Sequence, residues 1–459
     1  MEEDFFDNEL VDRFEEMLEK NEPVFFDSEE FDEIISFYLD IYDYEYALKA
    51  LKIASQQYPA NIDLKIRQLE YFVGTESLRE ASHLIDELKE ICPNDTDFLV
   101  TLAGYWSLRE MPHKAIDIYK QALKNHEEED YICNCLGNEY LELKNFEGAL
   151  YYFKLALTYN LDDDFALFSC VHCYDMMRRT QDCIDFLKKY IDINPYSEEA
   201  WFQLGFQHLN LRQYEKALQS FDYVVIINPK SIAGYTQKAF CYEQMNHWKN
   251  AIETYEESLG FDDTSAFSYF KIGQAYNHLE KPFLALKAFM KSVNEDPQFD
   301  KGWYEIACLY ERRGYHEEAL FSIEKALEID SKDENYWKEY AYISVELGRF
   351  EESADAFEIV VELEPNHFYN WLALSEVLIA LGEYPKAIDV LLQCLKNFNK
   401  AEIYYQLSNC YFLLKQPKKG EKYLEMALKL NASLQEDMQE RYPVLKREMK
   451  KMTQKNLKH

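Results

Sequence analysis

Small residues recur along this chain at a constant interval of 34 positions, and this period constrains the fold more than any other feature. A large apolar or aromatic residue stands 16 positions before most of them, with Lys65 and Cys133 as exceptions. The small positions are Ala47, Ala81, Ala115, Ala149, Cys183, Ala217, Ala251, Ala285, Ala319, Ser353 and Ala387, and Gly420 follows at 33. A fixed period of this length is the signature of stacked repeats. It predicts one long solenoid instead of the roughly three ordinary domains that this chain length suggests.

Turn-forming residues are scarce, which favours helices over sheets. The 459 residues include only 13 Gly and 12 Pro, while 47% of the chain is hydrophobic. A sheet-rich chain needs many more turn residues, and a disordered acidic chain is less apolar than this one. We therefore predict long helices joined by short turns around a large core.

One repeat shows the pattern most clearly. Its marked residues are Trp201, Leu204, Gly205, Ala217, Phe221 and Pro229. This arrangement resembles the tetratricopeptide repeat (TPR) signature, with Trp, Leu and Gly on a first helix, Ala and Phe on a second, and Pro closing the unit. Gly205 would let the two helices approach closely, and Ala217 would fill the tight site that faces it.

The TPR resemblance implies an all-α fold, a right-handed α-solenoid of helix-turn-helix repeats. It extends over residues 28–434 as twelve repeats. Residues 1–27 are predicted to form an acidic N-terminal capping helix, and residues 435–459 a C-terminal capping helix with a basic tail. Ser433 and Glu436 have the spacing of a capping box at the start of that last helix. Such end caps cover the apolar faces that terminal repeats would expose.

The charge of the chain excludes several classes of partner. The sequence has 84 Asp and Glu against 49 Lys and Arg, a formal net charge of -35. An acidic chain repels phosphate backbones and anionic membrane surfaces, so neither a nucleic acid nor a membrane is expected as partner. The sequence contains no apolar run of about 18 residues, so no membrane span is predicted. The start, Met1-Glu2-Glu3-Asp4, is acidic and is unlike a signal peptide. Ten scattered cysteines suit a reducing compartment, so we expect a cytoplasmic protein.

The acidic residues concentrate where TPR proteins bind their ligands. By resemblance, positions 2, 5, 6, 9, 12 and 13 of each repeat face a concave groove, and we call these the groove positions. Over twelve repeats they hold 17 acids and only 5 bases, which is about two-fifths of the net charge of the repeats in under a fifth of their residues. A solvated face would carry a proportional share. Clustered like charges in a concavity focus their field on an incoming ligand, so an acidic binding groove is the sharper interpretation.

Aromatic residues occupy the groove positions of the fifth to eighth repeats, and Tyr304 and Tyr342 extend the series. Two interpretations are open: these rings pack between neighbouring first helices, or they form an exposed anchor surface of the kind that peptide interfaces use. On the second interpretation, the predicted partner-binding residues are Phe168, Phe202, Phe206, Phe240, Phe270, Tyr304, Tyr342, Glu243, Glu305, Glu311, Glu339 and Glu346.

We therefore predict a non-catalytic protein-interaction scaffold that holds a basic or amphipathic protein segment. The alternative is a holding or assembly chaperone for a basic client. TPR domains that clamp the acidic tails of heat-shock chaperones use a Lys and Asn pattern that this chain lacks, so that function is rejected. Self-association is a further possibility, with the basic tail after Arg441 entering an acidic groove in the same or a second chain.

No pattern for catalysis is found. The sequence has no glycine-rich phosphate loop and no zinc-protease or serine-hydrolase motif, so neither an enzyme nor a cofactor is predicted. Cys170, His172, Cys173 and Cys183 include residue types that zinc uses. The repeat places Cys170 and Cys183 at core positions, where cysteine behaves as a small hydrophobic residue. We therefore predict no metal site.

Overall fold

A computed structural model describes residues 9–20, 24–261 and 265–456, with side chains described up to residue 450. The chain divides into an N-terminal unit, Met1–Pro229, and a C-terminal unit, Lys230–His459. Within the described residues every regular element is a helix. The first eight residues of the predicted N-terminal cap and the end of the predicted basic tail lie outside this description.

The N-terminal unit is an array of paired helices. Its elements are α1 (Glu9–Lys20), α2 (Ser28–Asp40), α3 (Tyr44–Gln57), α4 (Ile62–Gly74), α5 (Leu78–Ile91), α6 (Thr96–Leu108), α7 (Pro112–Ala122), α8 (Glu129–Glu142), α9 (Phe146–Tyr159), α10 (Asp164–Met176), α11 (Thr180–Ile193), α12 (Glu198–Asn210) and α13 (Tyr214–Ile227).

The C-terminal unit repeats this arrangement and ends in two further helices. Its elements are α14 (Ile232–Gln244), α15 (Trp248–Ser258), α16 (Ser265–His278), α17 (Pro282–Glu295), α18 (Asp300–Glu311), α19 (His316–Ile329), α20 (Glu334–Glu346), α21 (Phe350–Leu363), α22 (Phe368–Ala380), α23 (Tyr384–Asn397), α24 (Ala401–Leu413), α25 (Pro417–Leu430), α26 (Gln435–Arg441) and α27 (Pro443–Asn456). The predicted fold class, an all-α solenoid of helical pairs, is confirmed in both units.

The small residues of the 34-residue period lie where paired helices touch. Ala217 and its equivalents are fully buried, and so are Cys183 and Ser353, which replace alanine. The glycine on the facing helix is required for the same reason, close helix contact. A Cβ atom at Gly205 would lie 2.6 Å from the ring of Phe221. Gly273 is equally close to Phe289. Close packing therefore selects both residue types.

Local sequence sets the helix ends. The side chains of Asp95, Asp163 and Ser197 accept hydrogen bonds from backbone N–H groups in the first turns of α6, α10 and α12, which satisfies donors that have no partner within the helix. The predicted capping box of Ser433 and Glu436 is wrong. Ser433 lies in a short 3-10 helix, its N–H is bound by the side chain of Asn431, and no side chain caps α26.

The turn inside each helical pair places one residue in the left-handed region, again every 34 positions. These residues are Tyr42, Glu76, Glu110, Lys144, Arg178, Arg212, Asn246, Glu280, Gly314, Gly348 and Gly382, and Lys415 follows at 33 positions. A left-handed residue commonly ends a helix, and glycine adopts this conformation without strain. Only three of these turns have glycine, all of them in the C-terminal unit.

Candidate partner-binding surface

Two aromatic residues of the N-terminal unit stand out on α10. Phe165 and Phe168 occupy groove positions and are 52% and 54% exposed. The helix that carries them is anchored in the core, because the neighbouring Leu167 and Cys170 are fully buried between α9, α10 and α11. Phe168 is therefore available to a partner, as the anchor interpretation requires.

Phe202 and Phe206 are each partly buried in the core and partly exposed to solvent. Both rings are half-buried on α12, 5.0 Å apart, and both pack edge-on against the fully buried Phe221 at 5.7 and 5.9 Å. They fill the space beside Gly205, so part of their presence is explained by packing alone.

The aromatic residues of the C-terminal unit also differ from one another. Phe270 is 7% exposed and packs on Phe289 and Phe299 at 5.7 and 5.1 Å. Its burial removes it from the surface that a partner could reach. Phe240 is half-buried on α14, whereas Phe267, which the binding set omitted, is 38% exposed.

Two tyrosines lie beside the acidic residues of α18 and α20. Tyr304 is half-buried with its ring 5.0 Å from that of Tyr336. Tyr342 is 53% exposed and contacts Phe357 edge-on at 5.3 Å. Of the two, Tyr342 presents the larger apolar surface to solvent.

The predicted binding carboxylates fall into two groups. Glu243 has partners inside the protein: its carboxylate accepts a hydrogen bond from the Tyr255 hydroxyl at 3.0 Å and pairs with Lys271 at 3.2 Å. Its side chain is only 10% exposed. Glu243 is therefore already neutralised and contributes little charge to a ligand.

Glu305, Glu311, Glu339 and Glu346 form the second group. No ion pair to any of them occurs among the described residues. Burial raises the pKa of Glu305, although the nearby charge of Arg312 opposes this. Burial also raises the pKa of Glu339, and the charge of Glu311 raises it further. The charge of Arg312 opposes the raised pKa of Glu339 as well, but Arg312 makes no ion pair with these carboxylates among the described residues. A cation from outside would therefore relieve the repulsion between Glu311 and Glu339.

A thiol lies within this acidic group. Cys308 is half-buried near Tyr304 and Glu339, and burial raises its pKa to about 12. A thiol with this pKa stays protonated at neutral pH and is a poor nucleophile. The surface therefore offers binding groups and no activated nucleophile.

The C-terminal helices show how this chain holds one of its own cations. The guanidinium of Arg441 lies 2.8 Å from the carboxylate of Glu376, a groove-position residue of α22. The hydroxyl of Tyr442 donates to the same oxygen at 3.1 Å, and the amide of Gln406 donates to it at 3.0 Å. The start of the predicted basic tail thus contacts a groove acid within one chain. Self-association in trans stays a prediction.

A second charged site lies in the N-terminal unit. Its residues were included in the charge count of the groove positions, but a cluster of these residues was not predicted from the sequence. In the N-terminal unit, Arg67 donates to Asp32 at 2.9 and 3.3 Å, to Glu70 at 3.1 Å and to Asp97 at 3.3 Å. All four residues occupy groove positions of consecutive first helices. A single arginine surrounded by acids in the same register was the available signal.

The cysteine cluster gives no support to a metal site. Cys170, Cys173 and Cys183 are buried, and burial raises the pKa of Cys173 to about 11 and that of Cys183 to about 12. All three thiols belong to the hydrophobic core, whereas His172 is exposed. The part of the chain that the structure describes contains no group of three or more His, Cys, Asp or Glu able to hold a metal ion.

Family models match three stretches of the chain. Two tetratricopeptide repeat models match residues 186–219 and 401–434. The chain is a tetratricopeptide repeat protein. A model of the CABIN1 N-terminal domain also matches residues 303–403. The predicted total of twelve repeats stays a prediction.

Solved TPR structures resemble parts of this TPR chain, whereas no curated protein matches it. A TPR protein from Parabacteroides merdae is 15% identical, covers 54% of this chain and 98% of its own, and has a TM-score of 0.36. The C-terminal part of a Cytophaga hutchinsonii TPR protein is 15% identical, with 50% and 95% covered and a TM-score of 0.43. YrrB, described as a TPR protein with an unusual peptide-binding site, is 16% identical, with 41% and 96% covered and a TM-score of 0.34.

The TPR fold supports a protein–protein interaction scaffold. Among the residues with described structure, no helix is both long and apolar enough to cross a membrane.

Proposed function

We propose that this TPR protein is a non-catalytic scaffold that binds a basic, partly apolar protein segment on α18 and α20. The observation that carries the proposal is the group of Glu305, Glu311 and Glu339, which lies beside Tyr304 and Tyr342 and has no ion pair within the described residues. These three carboxylates are half-buried, and half-buried carboxylates that make no ion pair are costly to keep charged. A lysine or arginine of a partner would remove that cost on binding.

The two kinds of side chain have different tasks in this proposal. The carboxylates speed encounter with a basic partner and disfavour acidic ones. The exposed ring of Tyr342 supplies apolar contact, which is the usual source of affinity at such interfaces. The cis contact of Arg441 with Glu376 supports the proposal, since it shows a groove carboxylate in contact with a basic side chain.

The cysteines bear on the location of the proposed scaffold, and the charge of the groove positions bears on its class of partner. All ten cysteines are free thiols, which suits a reducing, cytoplasmic location. The proposal disfavours nucleic acids as partners, because the acids at the groove positions would repel phosphate.

Charge reversal tests the proposal. The test variant changes Glu305, Glu311, Glu339 and Glu346 to Lys. The matched control reverses four exposed acids of the second helix α21, namely Glu351, Asp355, Glu358 and Glu362. Pull-downs at low and high salt, read by mass spectrometry, should show basic partners captured by the wild type and the control and lost from the test variant. Undiminished capture by the test variant would contradict the proposal.

A further inference from the structure

The N-terminal unit contains a cavity that combines carboxylates with tyrosines. A space of 470 Å³ is lined by Arg67 and five carboxylates, including Asp40 and Glu70. A second space of 370 Å³ shares Asp40, Glu70 and Tyr131 with the first. The two spaces are therefore neighbouring parts of one cavity, with charge at one end and aromatic rings at the other.

Small residues create the aromatic end of this cavity. Gly104 occupies a groove position of α6 where the preceding repeat has Glu70, and a Cβ atom there would meet only one side-chain atom, of Val73, at 3.9 Å. The rings of Tyr42, Tyr44, Tyr119 and Tyr131 line the space. The repeat pattern did not reveal this site, because not all of these tyrosines occupy groove positions of first helices. Tyr42 lies in a turn and Tyr119 lies on a second helix.

The tyrosine rings differ in how firmly they are held. Tyr119 is buried at 5% exposure, while Tyr131 is 54% exposed. The thiol of Cys135 lies near both tyrosines and raises the pKa of each. One wall of the cavity is therefore fixed by the core, and the other faces the entrance.

The carboxylates at the charged end are only partly neutralised. The hydrogen bonds of Arg67 go to Asp32, Asp97 and one oxygen of Glu70. Asp40 is exposed and makes no ion pair in the described part of the chain. Burial raises the pKa of Glu70 and of Asp97 in spite of the arginine. The site therefore has an excess of negative charge, since its lining holds one arginine and five carboxylates.

We propose that this cavity is a binding pocket for the side chain of a lysine, with the ammonium near Asp40 and Glu70 and the alkyl stem against the tyrosines. Aromatic rings next to carboxylates form a favourable environment for an ammonium ion. Lysine fits better than arginine at Glu70, because Arg67 already holds one oxygen of this carboxylate. Glu70 can therefore accept a single contact from an ammonium but not the two-pronged contact of a planar guanidinium. The inference rests on the proposed function in one respect, that the partner is basic, and adds a residue-specific subsite in the other unit of the chain.

The pocket can be tested without a known partner. The probes are Nα-acetyl-lysine amide and its uncharged analogue, Nα-acetyl-norleucine amide, titrated into the full chain and followed by saturation-transfer NMR. For a ligand this small we expect a Kd on the order of 1 mM for the lysine probe. The norleucine probe should bind at least about tenfold more weakly, since it lacks the charge that the carboxylates recognise.

Two variants assign the binding to the pocket. Asp40→Asn changes an exposed residue without an ion pair and should leave the fold intact, which thermal unfolding checks. Asp40→Asn with Glu70→Gln should weaken the lysine probe by about tenfold or more. The matched control, Glu358→Gln with Glu362→Gln on the exposed face of α21, removes the same charge away from both proposed sites and should leave the Kd unchanged.

Three results would overturn the inference: equal binding of both probes, an unchanged Kd in the Asp40 and Glu70 variants, or no saturation transfer from the lysine probe. The outcome is separable from that of the proposed function. If basic partners are captured through α18 and α20 while the probe fails to bind, only the lysine pocket is disproved.

Discussion

Glu243 with Lys271 and Glu311 with Glu339 occupy equivalent places in the C-terminal unit, yet their energetics are opposite. In each case position 12 of one repeat is followed, 28 residues later, by position 6 of the next. The first pair is an ion pair at 3.2 Å. The second pair is two carboxylates, and the charge of Glu311 raises the pKa of Glu339. One change of residue type thus converts an internally satisfied contact into one that is available to a partner.

The largest effect is expected from removing the cation of the first pair. Lys271→Glu would leave Glu243, 10% exposed, with a like charge in place of its partner. Breaking a buried ion pair costs about 3–5 kcal/mol, and we expect the lower end because Lys271 is 22% exposed. Chemical denaturation followed by tyrosine and tryptophan fluorescence measures the loss. The control Lys287→Glu, on an exposed position of α17, should cost less than about 1 kcal/mol.

A smaller effect of opposite sign is expected at the second pair. The pKa of Glu339 is raised in the folded protein, so its charged form destabilises the fold at pH values above that pKa. Glu339→Gln should therefore stabilise the C-terminal unit at pH 7 by about 0.5–1 kcal/mol. The gain should disappear as the pH falls through the pKa of Glu339, because the wild-type carboxylate then becomes neutral as well.

Thermal unfolding of the Glu339 variant at pH 7 and at pH 4 measures this dependence. The matched control is Glu243→Gln, which should destabilise the protein at pH 7 because Lys271 loses its counter-charge. A Glu339 variant that is less stable than wild type at pH 7 would show that the carboxylate is satisfied by a contact that this account omits.

The turns that follow the helices of Lys271 and Glu339 allow a comparison of backbone strain. Glu280 follows the helix of Lys271 and has φ 55°, whereas Gly348 follows the helix of Glu339 and has φ 73°. Glu280→Gly should stabilise by roughly 0.5–1 kcal/mol, and Gly348→Ala should destabilise by about 1 kcal/mol. Urea denaturation of both variants checks these signs. Equal stability of all three proteins would mean that the left-handed turns carry no strain.

The sequence predicted the fold well because its information is local and repeated. Ala217, Gly205 and Phe221 specify one helix contact, and the period multiplies it along the chain. The candidate surface was predicted less completely, because position alone does not determine burial. Phe168 and Phe270 both occupy groove positions of α10 and α16, yet Phe270 is enclosed by Phe289 and Phe299 while Phe168 is exposed.

The charges show the same limit. Counting acids treated Glu243 and Glu339 alike, although only Glu243 has a lysine in the facing position. Comparing position 12 with position 6 of the next repeat would have separated them. The tyrosine-lined cavity could not be found in this way, since Tyr42, Tyr44 and Tyr119 belong to a turn and to second helices.

The most direct test of the central claim is the affinity of a lysine- and leucine-containing peptide for two matched variants in low and moderate salt. One variant carries Glu305→Gln and Glu339→Gln, and the other Glu358→Gln and Glu362→Gln on α21. Fluorescence anisotropy of the labelled peptide should show weaker binding to the first variant by about tenfold and unchanged binding to the second, with the difference shrinking as salt is added. Equal affinity of both variants would contradict the claim that the unpaired carboxylates of α18 and α20 bind the partner.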